Sequence, residues 1–494
     1  MKKFLLLCLV LLVASQATDL HAQSKKKATE QTKDGHQLIF NVKGAKDTVA
    51  YLVMHYQNKT YLKDSTTNIK NGRMIFEGEG TYDNGLYLLI SQDKVPYLNF
   101  IIDYHYFFEY TLDTTGKHET FSVINSPENV ELLKFQSKTA SAQQEMKAAQ
   151  EKLEQTKGTA DTALYQKKIT DINEGVVNFI DELIAQNPNF LFSKMQKAMK
   201  SIDVPDAPLD ENGEPDESFQ YIYYLNHYWD NVDLSDYRML FIPVFDNMYT
   251  TYFEKGLFYH PIDTITKYVD VFLAKTAVDS AMFRACLNKV SHTFESSKIL
   301  GHDAVFVYIA KNYQLKNRAP WLDEDVIEKF RKRVNVLEPL LIGKKAVELI
   351  IADTTGKKFI SSHTLPEKYV ILWFFDPNCQ TCKKESVKLK ALYDSLTTAG
   401  TRNFEVYAIG SDADEARWIK YVRDSQYPWI NVGGHVANVD FLKVYDVISF
   451  PKMFILDEKR NILVNRTLEM HSIPGFLHEH EKIQELKSKN NKKN

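Results

Sequence analysis

The chain has 494 residues, 44% of them hydrophobic and 25% charged, and 61 Lys and Arg against 64 Asp and Glu leave a net charge of −3. That length is too great for one core and, at ~100–200 residues per domain, implies about three domains. The near-balanced charge supplies no field that would favour nucleic acid or an anionic membrane surface, and the one charge run, Lys482 to Lys493, reads as a solvated helix end.

Lys2 and Lys3 precede a short apolar run, Phe4 to Ala14, and "LHAQS" offers a small residue, Ala22, for cleavage. Residues 1–22 therefore read as a signal peptide, and the expectation is an exported protein of the periplasm or cell envelope, soluble once processed. The apolar run falls far short of the ~20 residues a spanning helix needs. Of the four cysteines, Cys8 leaves with the leader, so Cys286, Cys379 and Cys382 remain. One adjacent pair plus a single thiol does not make a framework of structural disulfides.

Residues 35–125 read as an antiparallel, sandwich-like β domain. "TVAYLVMHY", "RMIFEGEG", "GLYLLIS" and "YLNFIID" are short β-branched and aromatic runs, separated by turn signals such as "KNG", "YDNG" and "TTGK". Residues 126–341 read as an all-α domain. "ENVELLKFQSKTASAQQEMKAAQEKLEQT" carries apolar residues at helical spacing, further helical segments follow, and "DVPDAPLDENGEPDES" between them is an exposed loop. Residues 342–494 alternate: strands at "AVELIIAD", "YVILWFFD" and "FEVYAIGSD", helices at "CKKESVKLKALYDSLTTAG", "ADEARWIKYVRD" and "IPGFLHEHEKIQELKSK", and a hairpin of "KMFILD" and "NILVNRT" around "EKRN". That order predicts an α/β layer.

In "ILWFFDPNCQTCKKE" the first cysteine falls where a buried strand hands over to a helix, with Pro377 and Asn378 breaking the strand. Cys379 then sits at or beside the helix N-cap, where free amide N–H groups and the helix dipole favour the thiolate. Two intervening residues put Cys382 one turn on. Cys379 is the expected nucleophile and Cys382 the resolving thiol, since a lone thiol would stay trapped on its substrate.

On these residues the segment from about Ile342 resembles the thioredoxin-like family, in particular the exported bacterial branch that includes the cytochrome-maturation thiol reductases. The match lies in the "VILWFFD" strand, "CQTC" opening a helix, Glu385 three residues beyond the second cysteine, and "ISFPKMFILD" downstream. The resemblance implies a redox-active Cys379–Cys382 disulfide and a cis Pro451 against the sulfurs. It also implies a substrate groove at Phe450, Pro451, Asp376 and Pro377, and a proton-relaying role for Glu385. A surface glutamate paired with Lys388 is the other reading of Glu385. Asn378 stands where the family commonly has Trp, and Phe450 and Lys452 flank Pro451 where a small or β-branched residue and Thr are usual. The two preceding regions resemble domains of uncharacterised function that precede a thioredoxin-like domain in envelope proteins of Bacteroidota, on "GRMIFEGEGTYDNGLYLL" and "LNHYWDNVDLSDYRML".

Competing readings of the pair are weaker. A Cys379–Cys382 staple would close a tiny loop and stabilise little. Zinc needs about four ligands, whereas His363 and His435 are isolated and Cys286 is distant in sequence. Peroxidase chemistry would want Thr or Ser where Asp376 stands. "HYWDNVDLSD" reads either as a ligand site or as an aromatic helix end with an Asp or Ser cap. Cys286 reads as a buried helical thiol and "HEHEK" as a solvated helix face. The expectation is an exported thiol–disulfide oxidoreductase, more a reductant than an oxidant, with no organic cofactor and no metal. Its partners would be disulfide-bearing envelope proteins and a membrane electron donor, its oligomeric state being open. The alternative is an envelope scaffold whose thioredoxin-like domain is mainly a recognition module.

Overall fold

The computed structural model describes residues 35–113, 120–209, 211–411 and 414–490, so the leader read over 1–22 lies outside the described residues. The chain divides into two compact units. One runs to Tyr259 and includes Asp270–Cys286; the other comprises His260–Val269 and everything from Leu287 onward. The helical region thus contributes to both.

In the first unit, β1 (His36–Lys43), β2 (Ala50–Tyr56), β3 (Lys59–Thr66), β4 (Ile69–Lys70), β5 (Arg73–Gly78), β6 (Gly85–Ile90), β7 (Pro96–Ile102), β8 (Phe107–Asp113) and β9 (Thr120–Ile124) form two sheets, ordered β4-β5-β1-β8-β9 and β3-β2-β6-β7. Strict alternation in β2 and β6 puts every second side chain inside. Phe40, Phe76 and Tyr110 from one sheet meet Tyr87, Leu89 and Phe100 from the other in one core. The pairings are antiparallel except β1 with β8, which is parallel. A parallel pair needs a long crossover, and here the chain between β1 and β8 builds the whole second sheet.

Helices follow: α1 (Pro127–Gln155), α2 (Thr162–Gln186), α3 (Leu191–Ala198), α4 (Phe219–His227), α5 (Pro243–Tyr249), α6 (Ile262–Thr276), α7 (Ser280–Glu295), α8 (His302–Ile309) and α9 (Glu324–Leu337). The first turn of α1 docks on the sandwich through Asn129, whose side chain accepts from Ile101 N at 2.8 Å and donates to Ile101 O at 2.6 Å. Its neighbour Glu128 is 3% exposed and accepts the N–H of Phe192 at 2.5 Å. Arg238 lies alongside, bonded to Asp103 at 2.5 Å and Asp236 at 2.6 Å. The "HYWDNVDLSD" stretch resolves as capping and ion pairing. Asp230 pairs with His227 at 2.6 Å, Asp233 and Asp236 hold Lys194 at 2.7 and 2.5 Å, and Trp229 is buried.

In the second unit, β10 (Ile350–Asp353), β11 (Phe359–Ser361), β12 (Tyr369–Phe375), β13 (Phe404–Gly410), β14 (Ile430–Ala437), β15 (Lys452–Leu456) and β16 (Ile462–Val464) form one mixed sheet ordered β11-β10-β14-β13-β12-β15-β16. β12, β13 and β14 run parallel, and β15 returns antiparallel on β12. "YVILWFF" is buried at every position, as a central strand covered on both faces must be. Ile371 and Trp373 enter one core with Leu389, Tyr393 and Trp418; Leu372 and Phe374 enter the other with Tyr407, Phe441 and Tyr445. α10 (Gln380–Thr398), α11 (Glu415–Ser425), α12 (Phe441–Val444) and α13 (Ile473–Asn490) complete the unit. In "HEHEK" His478, Glu479 and Lys482 are exposed, as a solvated helix face has them, while Glu481 takes Lys368 at 2.7 Å and His480 meets the Tyr369 hydroxyl at 3.1 Å, so α13 is tied to the start of β12.

Candidate active site

β12 ends at Phe375 and the chain turns through Asp376–Asn378, a turn that Asp376 closes on itself. Its Oδ1 accepts from Asn378 N at 2.7 Å and its carbonyl from Cys379 N at 3.0 Å. Cys379 is then the N-cap of α10, extended at φ −73° and ψ 115°, and its sulfur accepts the N–H of Cys382 at 3.1 Å. A cysteine thus occupies the place where Ser, Thr, Asp or Asn usually satisfies a free amide.

Cys379 is half-buried and Cys382 wholly buried, and both are free thiols. Burial pushes the Cys382 thiol up to about 12, aided by its hydrogen bond to Cys379 and opposed by the backbone amide of Asp376. Ser386, the next turn's buried residue, accepts from the indole N–H of Trp373 at 3.1 Å. Facing this turn, the carbonyl of Phe450 stands 3.7 Å from Cys379 Sγ. The Phe450–Pro451 peptide bond is cis, and Phe450 packs against both cores of the unit.

The structure therefore brings Asp376, Cys379, Cys382, Phe450 and Pro451 to one place. Pro377 is buried in the turn. Glu385 lies one turn on from Cys382 with its side chain 19% exposed, and Lys388 binds it at 2.7 Å. Cys286 is buried in α7. Sequence reading did not single out Trp373 or Ser386, although a serine four residues beyond Cys382 lies on the same helix face and was a usable signal. Among the described residues there is no group of three or more His, Cys, Asp or Glu that could hold a metal, and no helix is long and apolar enough to cross a membrane.

Residues 367–462 match the family model described as thioredoxin-like. The C-terminal domain is thioredoxin-like. Solved structures similar to this chain include a thioredoxin-like protein from Bacteroides caccae, at 19% identity over 57% of this chain and 99% of that one, TM-score 0.45. A domain of a possible thiol-disulfide isomerase from Cytophaga hutchinsonii is 30% identical over 30% of this chain and 98% of its own, TM-score 0.27. The thioredoxin domain of a thiol-disulfide oxidoreductase from Bacteroides vulgatus is 22% identical over 27% and 96%, TM-score 0.24. Comparison with curated proteins finds no match. The thioredoxin-like domain thus carries its cysteine pair at the strand-to-helix turn of β12 and α10.

Proposed function

We propose that this chain is an exported thiol–disulfide oxidoreductase that reduces disulfides in envelope proteins through Cys379 and Cys382. The observation that carries this reading is the division between the two sulfurs: Cys379 reachable at the N-cap, Cys382 buried behind it and within hydrogen-bond reach. Cys379, as thiolate, attacks one sulfur of a client disulfide. The client's other sulfur leaves and takes up a proton, and a mixed disulfide remains on Cys379. Cys382 then loses its proton and attacks Cys379 Sγ, releasing the client's second thiol and leaving a Cys379–Cys382 disulfide. Two electrons have passed to the client, and a membrane electron donor returns them.

Cys382→Ser is expected to accumulate mixed disulfides with envelope proteins, detectable by mass spectrometry after acid trapping, and Cys379→Ser to accumulate none. A Cys382→Ser variant that traps nothing, in a chain that also fails to reduce a protein disulfide, would sink the proposal.

A further inference from the structure

The loop that faces Cys379 is held from outside the thioredoxin-like fold. Between α12 and β15 the chain runs from Tyr445 to Pro451, with Ile448 78% exposed and the Phe450 carbonyl beside the sulfur. Asp446 opens it in the left-handed conformation that ends a helix, φ +49°, and the Val447 N–H closes α12 on the Leu442 carbonyl at 2.8 Å. Arg333 of α9 holds its side chain: one guanidinium nitrogen binds both carboxylate oxygens of Asp446 at 2.9 Å, and the Asp446 side chain is only 13% exposed.

The other end is held as well. The Pro451 carbonyl accepts from the Thr467 hydroxyl at 3.1 Å. The two residues before Thr467 are tied to helices: Arg466 donates to the Ser297 carbonyl, and buried Asn465 donates to Asp303 of α8 at 2.5 Å and to the Leu340 carbonyl at 3.1 Å. Lys452, next after the proline, lies in the field of Asp446, Asp303, Arg333 and Arg466 together, so both anchorages converge on the same short stretch.

We infer that the helices after Leu287 are a brace for the Asp446–Pro451 loop, with Arg333 fixing its start and the Ser297–Asp303 segment, acting through Asn465 to Thr467, fixing its end. Arg333 and Thr467 are positioning residues: they set the loop that a client polypeptide must lie against to present its disulfide to Cys379. The client part of this inference rests on the function proposed above; the brace itself does not.

The test uses the full chain with Arg333→Met, Arg333→Lys and Thr467→Val, the last removing a single hydrogen bond. Amide hydrogen exchange is read at Val447 and Ile448, whose N–H groups bond to the Leu442 carbonyl of α12 and to the Asp446 carbonyl. Reduction kinetics are read with insulin as a protein disulfide and glutathione disulfide as a small one. In Arg333→Met, exchange at these amides is expected to rise roughly tenfold and KM for insulin roughly tenfold, the size of a lost charged hydrogen bond. kcat and the glutathione disulfide rate should stay within about twofold, Arg333→Lys should restore part of both effects, and Thr467→Val should shift both in the same direction. Unchanged exchange in Arg333→Met and Thr467→Val overturns the brace. Equal losses on both disulfides, or faster exchange with an unchanged KM, overturn its role in client fitting. If the wild type reduces neither disulfide, the oxidoreductase reading fails and the exchange measurement alone decides the brace.

Discussion

Cys379 Sγ accepts the backbone N–H of Cys382 at 3.1 Å, while the Cys382 thiol is wholly buried behind it. One residue spacing therefore yields two different sulfurs, one half-buried at the N-cap of α10 and one wholly buried in its first turn. The consequence is a titration that belongs to position and not to residue type. In a Cys286→Ala, Cys379→Ser chain with carbon-13-labelled cysteine, the Cys382 Cβ resonance should show no step where a free thiol titrates, because burial disfavours the charged form of Cys382. A step near the free-thiol value of ~8.5 would mean that Cys382 is solvated, and the order of attack would then lose its basis.

A second prediction concerns the strand beside the site. Gly410 ends β13 opposite Phe375, the last residue before the Asp376 turn, and pairs with Gly433 of β14. The indole of Trp418 fills the space above both: a Cβ on Gly410 would lie 2.2 Å from Trp418 Nε1, and one on Gly433 would lie 2.8 Å from Trp418 Cε2. Gly410→Ala should cost about 1–3 kcal/mol or more through overpacking, seen as a lower denaturant midpoint at unchanged m. Gly475→Ala, where nothing stands within 4 Å of the new methyl, should be neutral or slightly stabilising. Equal effects of the two substitutions would show that the Trp418 contact does not govern this corner of the sheet.

The same glycines show where sequence reading stops. "YVILWFF" and "CKKESVKLKALYDSLTTAG" were legible because each carries its own period, continuous for a doubly covered strand and amphipathic for α10. The N-cap role of Cys379 followed from Pro377 and Asn378 alone. β14, "INVGGHVA", was not legible, since adjacent glycines argue against a strand; at Gly433 the indole of Trp418, on α11, takes the volume that a side chain would have filled. The parallel β1–β8 pairing and the Arg333–Asp446 tie were equally out of reach, for they join residues 70 and 113 positions apart through contacts that leave no local pattern. Glu385 could be placed on its helix, but Lys388 on the next turn decides where its carboxylate points.

Glu128, an acid in the first turn of α1, gives the last prediction. Here burial and the Asp103 carboxylate push it up from 4.5 to about 9. The unfolded chain gives up this proton from about pH 4.5, whereas the folded chain keeps it until about pH 9. Its contribution to stability is therefore complete below pH 4.5 and is lost as the pH climbs through that window. Glu128→Gln keeps an oxygen for the Phe192 N–H and supplies a permanent donor towards Asp103, with no proton to lose. The melting temperature of Glu128→Gln should therefore match the wild type at pH 5 and exceed it at pH 8, by roughly 5 °C. A gap that stays flat between the two pH values, or that closes as pH rises, would show that Glu128 is ionised in the folded chain and that Arg238, not a shared proton, neutralises the cluster.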